Sequence, residues 1–95
     1  LVLPWCQEAM KTRSLENRCF SITSNRTGTE INQEQKQYFT GMSQILGTKG
    51  EILIRMNDHE AAVYTVEIDP KLALDKAVTK LNSVYGDRRP ELYSL

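Results

Sequence analysis

Cysteine, histidine and tryptophan are scarce in this 95-residue chain, which holds two, one and one of them. Cys6 and Cys19 are too few for a disulfide framework, and their spacing matches no zinc pattern. The single histidine, His59, lies far from both in sequence. No cofactor and no metal is therefore expected. An excess of one charge is also missing, since 12 Lys and Arg balance 12 Asp and Glu. That removes the electrostatic reason to expect nucleic acid as a partner, and no basic stripe with interleaved aromatics appears. Long apolar runs are absent too: none approaches the roughly 20 residues of a membrane span, so no membrane partner is expected. No basic stretch leads into an apolar core as in a secretory leader. Two reduced thiols and no sign of secretion make the cytoplasm the expected location. There are no internal repeats and no low-complexity tract.

What is present is ordinary globular material, 40% hydrophobic and 25% charged. Ninety-five residues stand near the lower end of what buries a self-sufficient core. Leu1-Val2-Leu3 reads as strand or loop continuing from an earlier segment, interrupted at Pro4. Gln7 to Arg18 is rich in helix formers and free of Gly and Pro. Its apolar positions, Ala9, Met10 and Leu15, form no wide stripe, so the helix either frays or buries a mixed polar face. Cys19 to Ser24 alternates with period two and predicts a strand, closed by turn residues at Asn25 to Gly28. Thr29 to Gln37 is polar and predicts a surface excursion.

A meander follows. Met42 to Leu46 and Glu51 to Met56 predict paired strands around a Gly47-Thr48-Lys49-Gly50 turn. Ala62 to Ile68 predicts a third strand. Asp69-Pro70 predicts a capped helix start, with Leu74, Ala77, Val78 and Leu81 at helical spacing. The expected class is α+β, with about two helices and four mainly antiparallel strands. These elements leave sheet edges and faces uncovered, so a larger body is expected to cover them.

Five local patterns carry a resemblance. Arg13-Ser14-Leu15-Glu16-Asn17 resembles an R-A-x-E-N helix, with serine where alanine is usual. Ser24-Asn25-Arg26-Thr27-Gly28 resembles A-N-R-x-G, and Phe39-Thr40-Gly41-Met42-Ser43 resembles F-x-G-x-S. Glu67-Ile68-Asp69 looks like E-I-D, and Arg88 to Tyr93 resembles R-R-P-x-L-Y. Each is weak alone. In this order, across nearly the whole chain, they resemble the C-terminal portion of the carbon–nitrogen hydrolases of the nitrilase superfamily. The hairpin turn departs from the family's common proline before glycine, and the join from Trp5 to the helix is short.

The resemblance implies part of an α-β-β-α sandwich, with residues 1–95 as the C-terminal portion of one hydrolase domain. It also implies a Glu-Lys-Cys active site that acts on an amide or nitrile through a thioester. Those three residues belong to the family's N-terminal part, so no catalytic residue is expected here and the segment alone should be inactive. The implied partners are that N-terminal portion, a small amide or nitrile, and a second copy in a homodimer or larger homo-oligomer. The rival reading is a non-catalytic, standalone α+β interaction module.

Individual residues admit two readings each. Cys6 and Cys19 read as packing residues, because nothing visible would depress their pKa. His59, between Asp58 and Glu60, reads as a solvated loop residue. Val2, Leu3, Pro4 and Trp5 are candidate pocket-wall residues for substrate, although Trp5 could simply pack on the following helix. Asn25 is a substrate-binding candidate that could instead satisfy turn backbone groups. Its Asn-Arg-Thr sequon reads as coincidence. Arg13 and Glu16 could form a local ion pair worth roughly 0.2–0.5 kcal/mol. The resemblance implies instead that Arg13, Leu15 and Glu16, together with Leu92 and Tyr93 of the tail, form the dimer interface.

Overall fold

The computed structural model describes residues 5–77, 79–83 and 85–93. The described residues begin with their one α-helix, α1 (Trp5–Asn17), with Glu8 in its first turn facing the positive end of the helix dipole. Arg18 adopts a left-handed φ of 50° just past its end. Cys19 N then donates to Ser14 O at 3.1 Å and Arg18 N to Leu15 O at 3.4 Å. This pair of bonds satisfies carbonyls that the last turn would otherwise leave open.

Three strands, β1 (Ser21–Thr23), β4 (Gln44–Leu46) and β5 (Ile52–Arg55), form an antiparallel sheet in the order β1-β4-β5. Between β1 and β4 runs a separate hairpin, β2 (Thr27–Asn32) with β3 (Gln35–Thr40). The class is α+β with antiparallel strands, as expected, although among the described residues the strands number five and the α-helices one.

The helix takes the second of its two expected courses. Gln7 and Ser14 are its buried residues, while Leu15 and Trp5 face solvent. Gln44 Nε2 of the sheet donates to Gln7 O at 3.0 Å, and Ser14 Oγ bonds Ser21 Oγ at 2.9 Å. Arg55 Nη2 lies 3.1 Å from Glu8 Oε1. A polar seam thus joins helix to sheet, with Leu46 as the one fully buried apolar side chain among the described residues. The Gly47–Gly50 turn passes beneath the helix. At Gly50, with φ +75°, a Cβ would come within 2.6 Å of the Lys11 carbonyl oxygen, so only glycine fits.

Thr29 to Gln37 is exposed, as expected, and it takes the form of an ordered hairpin with six paired positions from Thr27 to Thr40. Its tip residues, Gln33 and Glu34, have φ of 48° and 71°, the geometry of a two-residue turn that Asn-Gly usually announces. Two expectations need correction. Ala62 to Ile68 forms no ladder among the described residues. Strand propensity has no effect without a neighbour to accept its hydrogen bonds. The second correction is the last helix. Asp69 caps as expected, its side chain accepting from Lys71 N with Pro70 following, but only a 3-10 turn forms, Pro70–Leu74. Leu74 and Leu81 are 80% and 91% exposed, so no apolar stripe is buried to drive propagation. Val78 lies outside the described residues. A second 3-10 turn, Pro90–Leu92, occupies the tail.

The Cα radius of gyration is 17.7 Å. A compact domain of this length would have about 12 Å. The architecture is open, and no helix among the described residues is long and apolar enough to cross a membrane.

Candidate functional site

The β1-β4-β5 sheet has two unlike faces. Register pairs Ile22 with Ile45 and Ile45 with Ile54, so these three isoleucines form a row on the face away from α1. That row floors a cleft of about 570 Å³. Its far wall is the extended run from Glu60 to Tyr64, and its rim carries Asn25, Arg26 and Asn57. Ile22 is 75% and Val63 95% exposed, so the cleft is largely apolar and open.

Asn25 is the knot of the rim. Its Nδ2 donates to Thr40 Oγ1 at 2.9 Å and to Gly41 O at 3.0 Å, and its Oδ1 accepts from Arg26 N at 2.9 Å. Its backbone N donates to Ser43 Oγ at 2.8 Å, and Ser43 Oγ donates to Asn25 O at 3.2 Å. The A-N-R-x-G-like and F-x-G-x-S-like segments therefore meet through Asn25, Gly41 and Ser43. Sequence reading singled out Asn25 but gave Ser43 no role. The signal was its place in the F-x-G-x-S-like segment, and only the fold shows what it bonds. Arg26 extends away from the knot, its guanidinium carbon 4.2 Å from the Phe39 ring centroid and its Nη1 3.2 Å from Glu30 Oε2.

Asn57 organises the adjoining turn. Its Oδ1 accepts from His59 N at 3.1 Å and Glu60 N at 2.7 Å, and its Nδ2 donates to Glu60 Oε2 at 3.2 Å. His59 Nδ1 lies 2.9 Å from Asp58 Oδ1. The bond from Asp58 raises the imidazole pKa above its ordinary 6.5 and holds the carboxyl below the usual range. Both groups are exposed.

Among the other expected site residues, Val2, Leu3 and Pro4 lie outside the described residues. Trp5 is the first residue of α1 and is exposed. Arg13, Leu15, Glu16, Leu92 and Tyr93 all face solvent in the single chain. No ion pair joins Arg13 to Glu16 among the described residues. Glu8 instead pairs with Lys11 and Arg55. Cys6 is exposed and Cys19 half-buried, both as free thiols. No group of three or more metal-ligating side chains occurs among the described residues.

The carbon-nitrogen hydrolase family model matches residues 1–75. The chain belongs to the carbon–nitrogen hydrolase family. A nitrilase from Pyrococcus abyssi is 37% identical over 93 residues, covering 98% of this chain and 34% of that protein. N-carbamoylputrescine amidases from Solanum tuberosum and Arabidopsis thaliana are 38% and 36% identical over 80 residues, 78% of this chain and 25% of theirs. The chain thus spans about a third of the length of the first relative and a quarter of the others. Membership bears out the resemblance carried by the five patterns. The match to residue 75 takes in Asn25, Gly41 and Ser43, so the rim knot lies within the family region.

Proposed function

We propose that residues 1–95 are the C-terminal part of a single hydrolase domain acting on non-peptide carbon–nitrogen bonds of a small amide, carbamoyl compound or nitrile. The observation that carries this reading is the alignment of 98% of the chain with about a third of a nitrilase. In the proposed reaction a cysteine thiolate supplied from outside this segment attacks the amide or nitrile carbon. On the amide route the nitrogen leaves with a proton from a glutamic acid. Water, deprotonated by the same glutamate, then releases the acid from the thioester and returns the thiol, while a lysine stabilises the developing negative oxygen. A nitrile reaches the acid by the addition of two waters and loss of ammonia.

This segment's share is architecture. The isoleucine face is where the N-terminal portion packs, Val2 to Trp5 and Asn25 line the pocket, and Arg13, Leu15, Glu16, Leu92 and Tyr93 meet a second copy in a homodimer or larger assembly. Asn25 contributes chiefly by position, since both its amide hydrogens are already committed within the chain. Two free thiols suit a reducing, cytoplasmic setting. The test is ammonia release by the full-length protein across a panel of small amides, carbamoyl compounds and nitriles. We expect turnover of at least one class, loss of it on thiol alkylation, and its retention in a Cys6→Ser/Cys19→Ser variant. No turnover by the full-length protein, or its loss in that variant, would overturn the reading.

A further inference from the structure

Residue 25 is held twice. Its side-chain amide hangs on the end of β3 through Thr40 Oγ1 and Gly41 O, and its backbone hangs on Ser43. The second tether is a single hydroxyl group. Ser43 Oγ accepts from Asn25 N at 2.8 Å and donates to Asn25 O at 3.2 Å, across 18 residues of sequence. A hydroxyl has one hydrogen to give. That of Ser43 is committed to the rim and is not available to a bound molecule.

The anchor itself is rigid. Ser43 O accepts from Met56 N at 2.8 Å, continuing the β4–β5 pairing past its end. The next residue, Gln44, is 2% exposed and fixed to α1 through its bond to Gln7 O. On the other side, Gly41 and Met42 both have a φ of 59°. A left-handed backbone is costly for methionine and persists only where the surroundings over-determine it. Here they do. Met42 N donates to Asn57 O at 3.1 Å, and a Cβ on Gly41 would stand 3.1 Å from that same oxygen. The turn delivers Ser43 to one place, and Ser43 passes that order to the connection between β1 and β2.

We infer that Ser43 is a positioning residue for the substrate pocket, fixing Asn25 on the rim by bonding both the N–H and the carbonyl of its backbone. The inference rests on the proposed place of Asn25 in the pocket wall. Ser43 acts through Asn25 and needs no contact with substrate. Its removal lets the β1–β2 connection drift, and a drifting wall weakens substrate binding while leaving the reacting groups as they were.

The experiment uses the full-length protein and the variants Ser43→Ala, Ser43→Thr and Ser43→Cys. Ser14→Ala is the control, because it removes a hydroxyl bond of the same kind from the helix–sheet seam. Two quantities are read: amide hydrogen exchange at Asn25, and kcat and KM for an amide, carbamoyl compound or nitrile that the unmutated protein turns over. Two neutral hydrogen bonds together correspond to roughly tenfold in an equilibrium. Ser43→Ala should therefore speed exchange at Asn25 and raise KM by about that factor, with kcat little changed. Ser43→Thr keeps the oxygen and should restore much of both, while Ser14→Ala should move neither. Unchanged exchange at Asn25 in Ser43→Ala overturns the tether. Faster exchange with unchanged KM overturns its role in the pocket, and so does an equal rise of KM in Ser14→Ala. Should Ser43→Ala fail to fold, Ser43→Cys carries the same comparison, being close in shape but a weak donor and acceptor. No turnover by the unmutated protein overturns the hydrolase reading instead, and exchange at Asn25 then still decides the tether separately.

Discussion

Ser14 stands where the family pattern usually has alanine, and its surroundings explain both the size and the hydroxyl. It is 1% exposed at the helix–sheet seam, so a larger side chain would not fit. A buried hydroxyl must find a partner, and it finds Ser21 Oγ at 2.9 Å on β1. The two serines form a matched pair. Ser14→Ala should cost about 1 kcal/mol by leaving Ser21 unpartnered, and Ser21→Ala should cost a similar amount. The double variant should cost less than the sum of the two, because neither orphan remains. Denaturant unfolding of the full-length protein measures this, and strict additivity would show that the pair is not coupled. Residue identity alone could not have announced this contact, because the partners belong to different elements.

At the scale of elements, local rules sufficed where an element is stabilised by its own neighbours. The α1 helix, the β4–β5 hairpin around Gly47 to Gly50, and the Asp69-Pro70 cap were all legible, because propensity, turn chemistry and capping act within a few residues. The β2–β3 hairpin was not. Its strands carry no clean apolar alternation, and its tip holds Gln33 and Glu34 in a conformation that favours Asn and Gly. Replacing the pair by Asn-Gly should therefore stabilise the hairpin, by about 1 kcal/mol. Backbone hydrogen exchange across Thr27–Thr40 should slow accordingly. Unchanged exchange would show that the tip backbone carries no strain. The expected strand over Ala62 to Ile68 and the helix beyond Leu74 failed for a different reason. Each needs a surface from elsewhere, a ladder partner in one case and an apolar bed in the other.

The whole molecule is defined by what it leaves uncovered. One apolar side chain is fully buried among the described residues, while Ile22, Val63, Leu74 and Leu81 are between 75% and 95% exposed. A radius of gyration of 17.7 Å confirms that the chain does not close on itself. Exposed apolar surface on this scale drives association. The isolated 95-residue chain should therefore bind a hydrophobic dye, self-associate and melt without a sharp transition. Calorimetry and dye fluorescence check this, and a single cooperative transition of a monomer would refute it.

The sequence by itself determined the α+β class and the family, because five short patterns in fixed order are a property of the chain and require no contact. It also marked Asn25 as a residue of consequence. Tertiary structure alone decided what those marks do. It tied Asn25 to Gly41 and Ser43, turned polar side chains of α1 inward onto the sheet, and brought Lys76 to the end of a helix 58 residues away. The physical reason is range. Propensity, capping and turn geometry act over a few residues, whereas a buried polar group takes as partner whatever the folded chain delivers within 3 Å or so.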